Sequence, residues 1–247
     1  MVVREISSVS DLLKALAADV DGYGGSVWFR GQAAFDWTLT PGYYRLNAPP
    51  PETTLLKRFR QSAAMLLSKD PAASFDWQFL MQHYGIPTRL LDWTESPLIA
   101  LYFVVSEMQE GLDGALWVLK PSELNKIAKI NDAEEEFFIP SFEDGELINY
   151  TVDSLSSGPR RTQLSPIAAI ATRNNARIQA QLGVFTIHHL DQTPLEKLGD
   201  GNHFFKYRVM GNSVAALKKE ISLLGFNKFS IFPELASIGD NIRGSIK

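Results

Sequence analysis

The sequence predicts an α+β fold: a mixed, mostly antiparallel sheet with packed helices. Three observations predict it. Segments of helical and of strand period are interleaved without a regular strand–helix–strand alternation. Apolar residues make up 45% of the 247-residue chain, which is enough for a sizeable core. No internal repeat and no low-complexity stretch breaks the pattern, and the length suits one large domain or two small ones.

The elements follow in chain order. "EISSVSDLLKALAADV" reads as an amphipathic helix over 8–19, with Ser10 as its N-cap. "DGYGG" is a turn, and Val27–Phe29 is a short strand that delivers Arg30 at its end, beside Gly31. "WTLTPGYYR" alternates and closes in turn residues. "PETTLLKRFRQSAAMLLSK" has helical spacing, with Pro51 placed to start it. "DWQFLMQHYG" is a short apolar helix that Gly85 terminates. Pro87 and Pro97 bracket a rigid loop, "PTRLLDWTESP", and "LIALYFVVSEMQEG" continues as a buried helix. "GALWVLK" is a buried strand and "SELNKIAKI" a short helix. From about 131 to 166 the chain is acidic at first and then loop-rich, without a clear period. Val184–His188 and "HFFKYRVM" are strands. "SVAALKKEISLLG" is a helix closed by Gly225, and "FSIFPELASIGDNIR" is a last short strand leading into a helix.

Composition removes several chemistries. With no cysteine there is no disulfide, no thiolate zinc site, no iron–sulfur cluster and no cysteine nucleophile. A net charge of −4 does not favour broad binding to nucleic acid or anionic membrane. The start of the chain lacks a basic segment followed by an apolar core, and no stretch approaches about 18 uninterrupted apolar residues, so the expectation is no membrane span and a cytoplasmic location. No metal is expected. The four histidines, at 83, 188, 189 and 203, include no i, i+4 helical pair and no HExxH, and His188 and His189 face opposite ways if their strand continues. Phosphate-binding glycine loops and the GxSxG elbow are absent as well. The acidic run Glu134–Glu136 reads as a solvated loop, and the basic stretches "GPRRTQ" (158–163) and "ATRNNARIQAQLG" (171–183) read as solvated surface, with contact to a nucleic acid or to phosphates as the less favoured alternative.

Two segments hold the residues that point to chemistry. Arg30 followed by Gly31 suits a bidentate grip on phosphate or carboxylate with a ligand close to the backbone; the alternative is a structural salt bridge to Asp92. "QHYGIPTRLLDWTESPLIALYF" (82–103) sets polar groups among leucines and aromatics, where they must find partners. His83 is a general base or a satisfied core residue, and Trp93 stacks on a flat ring or packs in the core. Asp92, flanked by leucine and tryptophan, is expected to contact Arg30 or Arg89, and Arg30 and the Asp92–Ser96 segment are expected to line one cleft.

"WFRGQ" followed by "QHYGIPTRLLDWTESPLIALYF" resembles the FRG domain family, named for the Phe-Arg-Gly seen here as Phe29-Arg30-Gly31. A helix with Glu52 and Phe59 lies between the two motifs. Arg177, Gln181, Gly183 and Phe185 in "RIQAQLGVFTI" match a downstream element, and "LLGFNKFSIFPELASIGDNI" matches the family's ending. The matches span 27–242, so the resemblance implies a single FRG domain over most of 1–247.

The motif order is similar in turn to that of ADP-ribosyltransferases, which implies a fold of that kind and NAD as substrate rather than as resident cofactor. The resemblance places Arg30, Thr94 and Glu234 as catalytic. It places Arg30, Gly31, Gln32, His83, Tyr84, Arg89, Asp92, Trp93, Ser96 and Phe185 against NAD. It implies transfer of ADP-ribose to a macromolecular acceptor, or hydrolysis to water, by a bacterial toxin or anti-phage effector with a regulatory partner. Two positions depart from the pattern: Asp92 stands near an expected serine, and Phe232 stands where many such enzymes carry Gln or Glu. A non-catalytic module that reads a nucleotide or a protein is the alternative.

Overall fold

The computed structural model describes residues 3–67, 71–130, 134–157, 163–173 and 175–246. The basic residues 158–162 lie outside these. Among the described residues seven strands form one sheet in the order β1-β7-β4-β2-β3-β6-β5, in which β1–β7 is the parallel pair and the other pairs are antiparallel. This is the α+β, mostly antiparallel architecture that the sequence predicts.

Strand β1 (Arg4–Ile6) was not legible, being three residues long with only Ile6 buried. Helix α1 (Val9–Asp19) starts two residues earlier than the Ser10 cap implies. Ser8 is the N-cap, its Oγ accepting from the Asp11 amide at 3.1 Å, and Ser10 lies inside the helix. Strand β2 runs Trp28–Gln32, so Arg30 sits mid-strand rather than at a strand end. Helices α2 (Glu52–Ala63) and α3 (Ser74–His83) follow, and Gly85, at φ +77°, takes the chain out of α3.

The bracketed "loop" is in fact strand β3 (Leu90–Thr94), paired along its whole length with β6 (Gly183–Ile187), from Leu90↔Ile187 to Thr94↔Gly183. Apolar and polar residues alternate only from Leu91 to Thr94, which is too short a run, set between two prolines, to mark a strand. The two prolines stand outside the paired residues, where a missing N–H does no harm.

Helix α4 (Pro97–Glu107) begins with Ser96 as N-cap, its Oγ accepting from the Ile99 amide, and Pro97 in the first turn. Strand β4 (Gly114–Leu119), helix α5 (Pro121–Ile127), a 3-10 turn at Gly145–Tyr150, helix α6 (Val152–Ser157), strand β5 (Ile167–Ala169) and the short helix α7 (Ala176–Ala180) lead to β6. Strand β7 (Phe204–Val209) and helix α8 (Val214–Leu223) follow, with Gly225 at φ +87° after it. "FSIF" is not a strand. It forms the helical turn α9 (Lys228–Ile231), because Asn227 caps it: Oδ1 accepts from the Phe229 amide at 2.9 Å and the Ser230 amide at 3.1 Å. Helix α10 (Leu235–Ser245) ends the described chain.

One face of the sheet packs α1, α4 and α8 on Phe29, Leu116, Val118, Tyr207 and Val209. Farther along that face, Phe75 of α3 packs with Leu90, Phe185 and Ile187. The opposite face holds Trp28, Leu91, Trp93, Trp117 and Leu119. Helix α4 rides unusually close to the sheet. A Cβ on Gly31 would lie 2.1 Å from the Ala100 carbonyl oxygen and 2.9 Å from the Val104 amide, and one on Gly114 would lie 2.5 Å from Val104 Cγ1. Gly31 therefore makes room for a helix rather than for an approaching ligand.

Neither His188 nor His189 belongs to a strand, since β6 ends at Ile187. Both are buried. His188 Nε2 lies 3.2 Å from the Thr193 carbonyl, and His189 Nδ1 accepts from the Leu164 amide. Among the described residues no cluster of His, Asp and Glu is arranged to hold a metal, and no helix is long and apolar enough to cross a membrane.

Gly31→Ala forces backbone apart from backbone and is expected to cost about 1–3 kcal/mol or more. Gly145→Ala, whose Cβ meets nothing within 4 Å, should stay within about 0.5 kcal/mol of the parent, and urea titration of both variants checks the contrast.

Candidate functional site

Strands β2 and β3 pair at a single position, Phe29↔Thr94, whereas β2 pairs with β4 at five, from Trp28↔Leu119 to Gln32↔Ala115. Beyond Phe29 the two strands part. The Arg30 side chain fills the fork, and its Nη1 donates to the Asp92 backbone carbonyl at 2.6 Å. A guanidinium thus takes the carbonyl that a continuing ladder would have satisfied with an amide. Arg30 Nε is buried without a partner. Burial pulls the guanidinium pKa down, and the charges of Asp92 and Glu107 partly restore it. An arginine stays charged in either case.

Above the fork lies a cleft of about 260 Å³. Asp92, Thr94, Gly183 and Phe185 of β3 and β6 form its floor, with Phe29, Arg30 and Gly31 at the β2 side. Helix α3 supplies Phe79, Gln82 and His83; α4 supplies Phe103 and Glu107; and the α7 segment supplies Asn175, Arg177, Ile178 and Gln181. The cleft exists because α4 and α3 cover neighbouring parts of one sheet face and leave β3 open between them.

Asp92 is the exposed residue of an otherwise buried strand. Its carboxylate does not pair with an arginine. Oδ2 accepts from Gln82 Nε2 at 2.6 Å, and Gln82 Oε1 accepts from Thr88 Oγ1 at 2.8 Å. The expected Asp92–Arg30 contact is made through the Asp92 backbone, because the guanidinium reaches the carbonyl in the fork before it reaches the side chain.

Arg89 is fully committed elsewhere. It is buried, with Nε donating to Glu52 Oε2 at 2.6 Å, Nη1 to the His188 carbonyl at 2.5 Å and Nη2 to the Tyr150 carbonyl at 2.6 Å. It fastens α2 to the end of β6 and the 3-10 turn, far from any ligand role. This also explains the Glu52 that the family resemblance singles out.

The other expected site residues divide in the same way. Arg30, Gly31, His83, Asp92, Trp93, Thr94 and Phe185 line the cleft; Gln32, Tyr84, Arg89, Ser96 and Glu234 do not. Gln32 is held on both sides, donating to the Thr38 carbonyl and accepting from Trp117 Nε1. Tyr84 follows α3 and is 65% exposed. Ser96 caps α4. Trp93 is a core residue whose Nε1 donates to Thr186 Oγ1 at 3.0 Å. Thr94 Oγ1 donates to the Gln181 carbonyl at 2.7 Å and accepts from the Ser96 amide, so its proton is already used. Glu234 stands at the N-cap position of α10, with Oε1 3.8 Å from His83 Nε2. Since "FSIF" is helical, no strand aims Glu234 into the cleft. Burial, and secondarily Arg177, hold His83 below its ordinary pKa, so the imidazole is neutral near pH 7.

Sequence reasoning passed over Phe79, Gln82, Phe103, Glu107, Asn175, Arg177, Ile178 and Gln181. The signal was present for Arg177, Gln181 and Gly183, which belong to the same motif as Phe185 and line the same cleft. The C-terminal segment rims the opening: Phe232 stacks edge-on to Phe103 at 5.9 Å and lies 4.8 Å from the Arg177 guanidinium, and Gln181 Nε2 donates to the Ile231 carbonyl.

The sequence profile of the FRG domain family matches residues 25–112. The match takes in β2, α2, α3, β3 and α4, and so one side of the cleft; the α7 and β6 residues on the other side lie beyond it. No curated protein and no solved structure matches the chain.

Arg89→Ala leaves a buried carboxylate and two carbonyls without their donor and is expected to cost about 3–5 kcal/mol. Asp92→Ala removes an exposed acceptor and is expected to cost no more than about 1 kcal/mol. Equilibrium unfolding of the two variants checks both; similar losses would contradict this assignment of roles.

Proposed function

With residues 25–112 forming an FRG domain, we propose that the chain breaks the nicotinamide–ribose bond of NAD, passing ADP-ribose to an acceptor or to water. One observation carries this reading: a single cleft gathers the Arg30 cation, the exposed Asp92 carboxylate and the partly exposed ring of Phe79 on adjoining elements. These are the groups that a phosphate, a ribosyl cation and a flat pyridinium ring require.

In this reading Arg30 contacts the ligand through Nη2, since Nη1 is occupied; the grip is single-pronged rather than bidentate. Arg177 supplies a second cation for the diphosphate. Phe79, partly exposed, offers the stacking ring, because Phe185 is 5% exposed and already packed on Phe79 at 4.7 Å. The cleft is smaller than the roughly 300–1,000 Å³ of most ligand pockets, which suits the nicotinamide riboside half, with the adenosine half lying outward. Transfer would modify an acceptor macromolecule, and transfer or hydrolysis would consume cellular NAD, which is the basis for an effector role in toxicity or phage defence.

A non-catalytic nucleotide-binding module is the second reading. It is favoured by one observation, that Glu234 lies outside the cleft lining at a helix N-cap. The test separates the two. The purified chain is incubated with NAD, and free nicotinamide is followed by chromatography while binding is followed by calorimetry. Nicotinamide release that falls at least about tenfold in Arg30→Met supports the enzyme. Binding without release supports the module. Neither binding nor release overturns both.

A further inference from the structure

We propose that Asp92, and not Glu234, is the carboxylate that faces the ribosyl cation, and that Gln82 and Thr88 hold it in place. The proposal rests on the NAD-cleaving reading given above.

Asp92 is the one exposed position of its strand. It occupies the centre of an internal strand, between β2 and β6, where the other four residues of the strand are buried. Its side chain lies on the same face as its partner across the ladder, Phe185, at the cleft floor. A valine or leucine there would extend the apolar surface formed by Phe29, Phe185 and Leu90 and close the gap between α3 and α4. The sheet instead presents a carboxylate to the cleft.

A relay of donors fixes that carboxylate. The Leu90 amide donates to Thr88 Oγ1 at 3.2 Å, Thr88 Oγ1 donates to Gln82 Oε1, and Gln82 Nε2 donates to Asp92 Oδ2. Thr88 is buried, and the order of donors sets the Gln82 amide so that its NH₂ group must face Asp92. One carboxylate oxygen is thereby immobilised. The other, Oδ1, has no hydrogen bond among the described residues, and Asp92 is exposed and lines the cleft. Preorganised charge of this kind needs no rearrangement as a cation develops.

The competing carboxylates lack these features. Glu234 is exposed and lies 3.8 Å from His83 at the rim. Glu107 is exposed on the α4 wall, and among the described residues no hydrogen bond fixes it. In the step itself, the bond from ribose C1′ to the ring nitrogen breaks and its electron pair goes to nicotinamide, which leaves neutral. The positive charge stays on C1′ and the ring oxygen, facing Asp92 Oδ1. Water or an acceptor hydroxyl then adds at C1′, and its proton passes to solvent.

The experiment is NAD turnover by the whole chain and by Asp92→Asn, Asp92→Ala, Gln82→Leu and Glu234→Gln, with thermal melts as the folding control. Asp92→Asn should lower kcat about 10²–10³-fold with an unchanged melt. Formate, a small carboxylate, should restore part of the turnover of Asp92→Ala and do nothing for Asp92→Asn, whose amide fills the space. Gln82→Leu should lower kcat with little change in KM, the mark of a positioning residue. Glu234→Gln should keep kcat within about threefold. A wild-type chain that releases nicotinamide while Asp92→Asn matches it overturns Asp92 alone; a wild-type chain that releases none overturns the NAD reading with it.

Discussion

The Arg30 guanidinium sits where two neighbouring strands part, and the rest of the site follows from that placement. A sheet cannot fork without leaving backbone groups unsatisfied, and an orphaned buried carbonyl costs about 1–3 kcal/mol. Arg30 Nη1 takes the Asp92 carbonyl at 2.6 Å and so makes the fork stable. Arginine suits this task because its fan of donors lets one nitrogen bond the backbone while another remains available. The structure bears one visible cost, a buried Nε with no acceptor.

Gly31 and helix α4 complete the constraint. The glycine lets the backbone of α4 settle against β2, with Ala100 and Val104 in the space that a side chain would fill. That close approach fixes where the α4 wall stands, and α3 forms the other wall. The Phe-Arg-Gly triplet therefore reads as one structural unit: Phe29 enters the helix-covered core, Arg30 bridges the fork, and Gly31 admits the helix. A second arginine, Arg89, does comparable work at a distance from the cleft by tying α2 and two carbonyls together. Two arginines that look alike in sequence thus part company by burial: one is sealed and the other opens on the cleft.

The fold class was legible from interleaved periods, and so were α3, α4, β4, β7 and α8, whose patterns are local. Two elements were not. Strand β3 hid between its prolines because its alternation runs over only four residues, Leu91 to Thr94, and the "FSIF" turn hid its helical state in a single cap, Asn227. At the site, the sequence brought Arg30 and Asp92 together correctly but through the wrong atoms, since no pattern tells a backbone carbonyl from a carboxylate. Gln82, Arg177 and Gln181 were in quoted motifs yet went unassigned. Their roles depend on contacts across many residues: Gln82 to Asp92 over ten positions, and Gln181 to Thr94 over 87. Thr94 and Gln32 looked available as polar residues near a glycine, but the structure spends their donors internally.

The claim on which all of this turns is that Arg30 holds the fork between β2 and β3. Amide hydrogen exchange of Arg30→Met against the parent, read by mass spectrometry over β2, β3, β4 and β7, tests it directly. Exchange should rise in β2 and β3, from Gly31 to the Asp92–Thr94 end, while β4 and β7 keep their protection. Exchange that is unchanged in β3, or raised uniformly across the whole sheet, would contradict it.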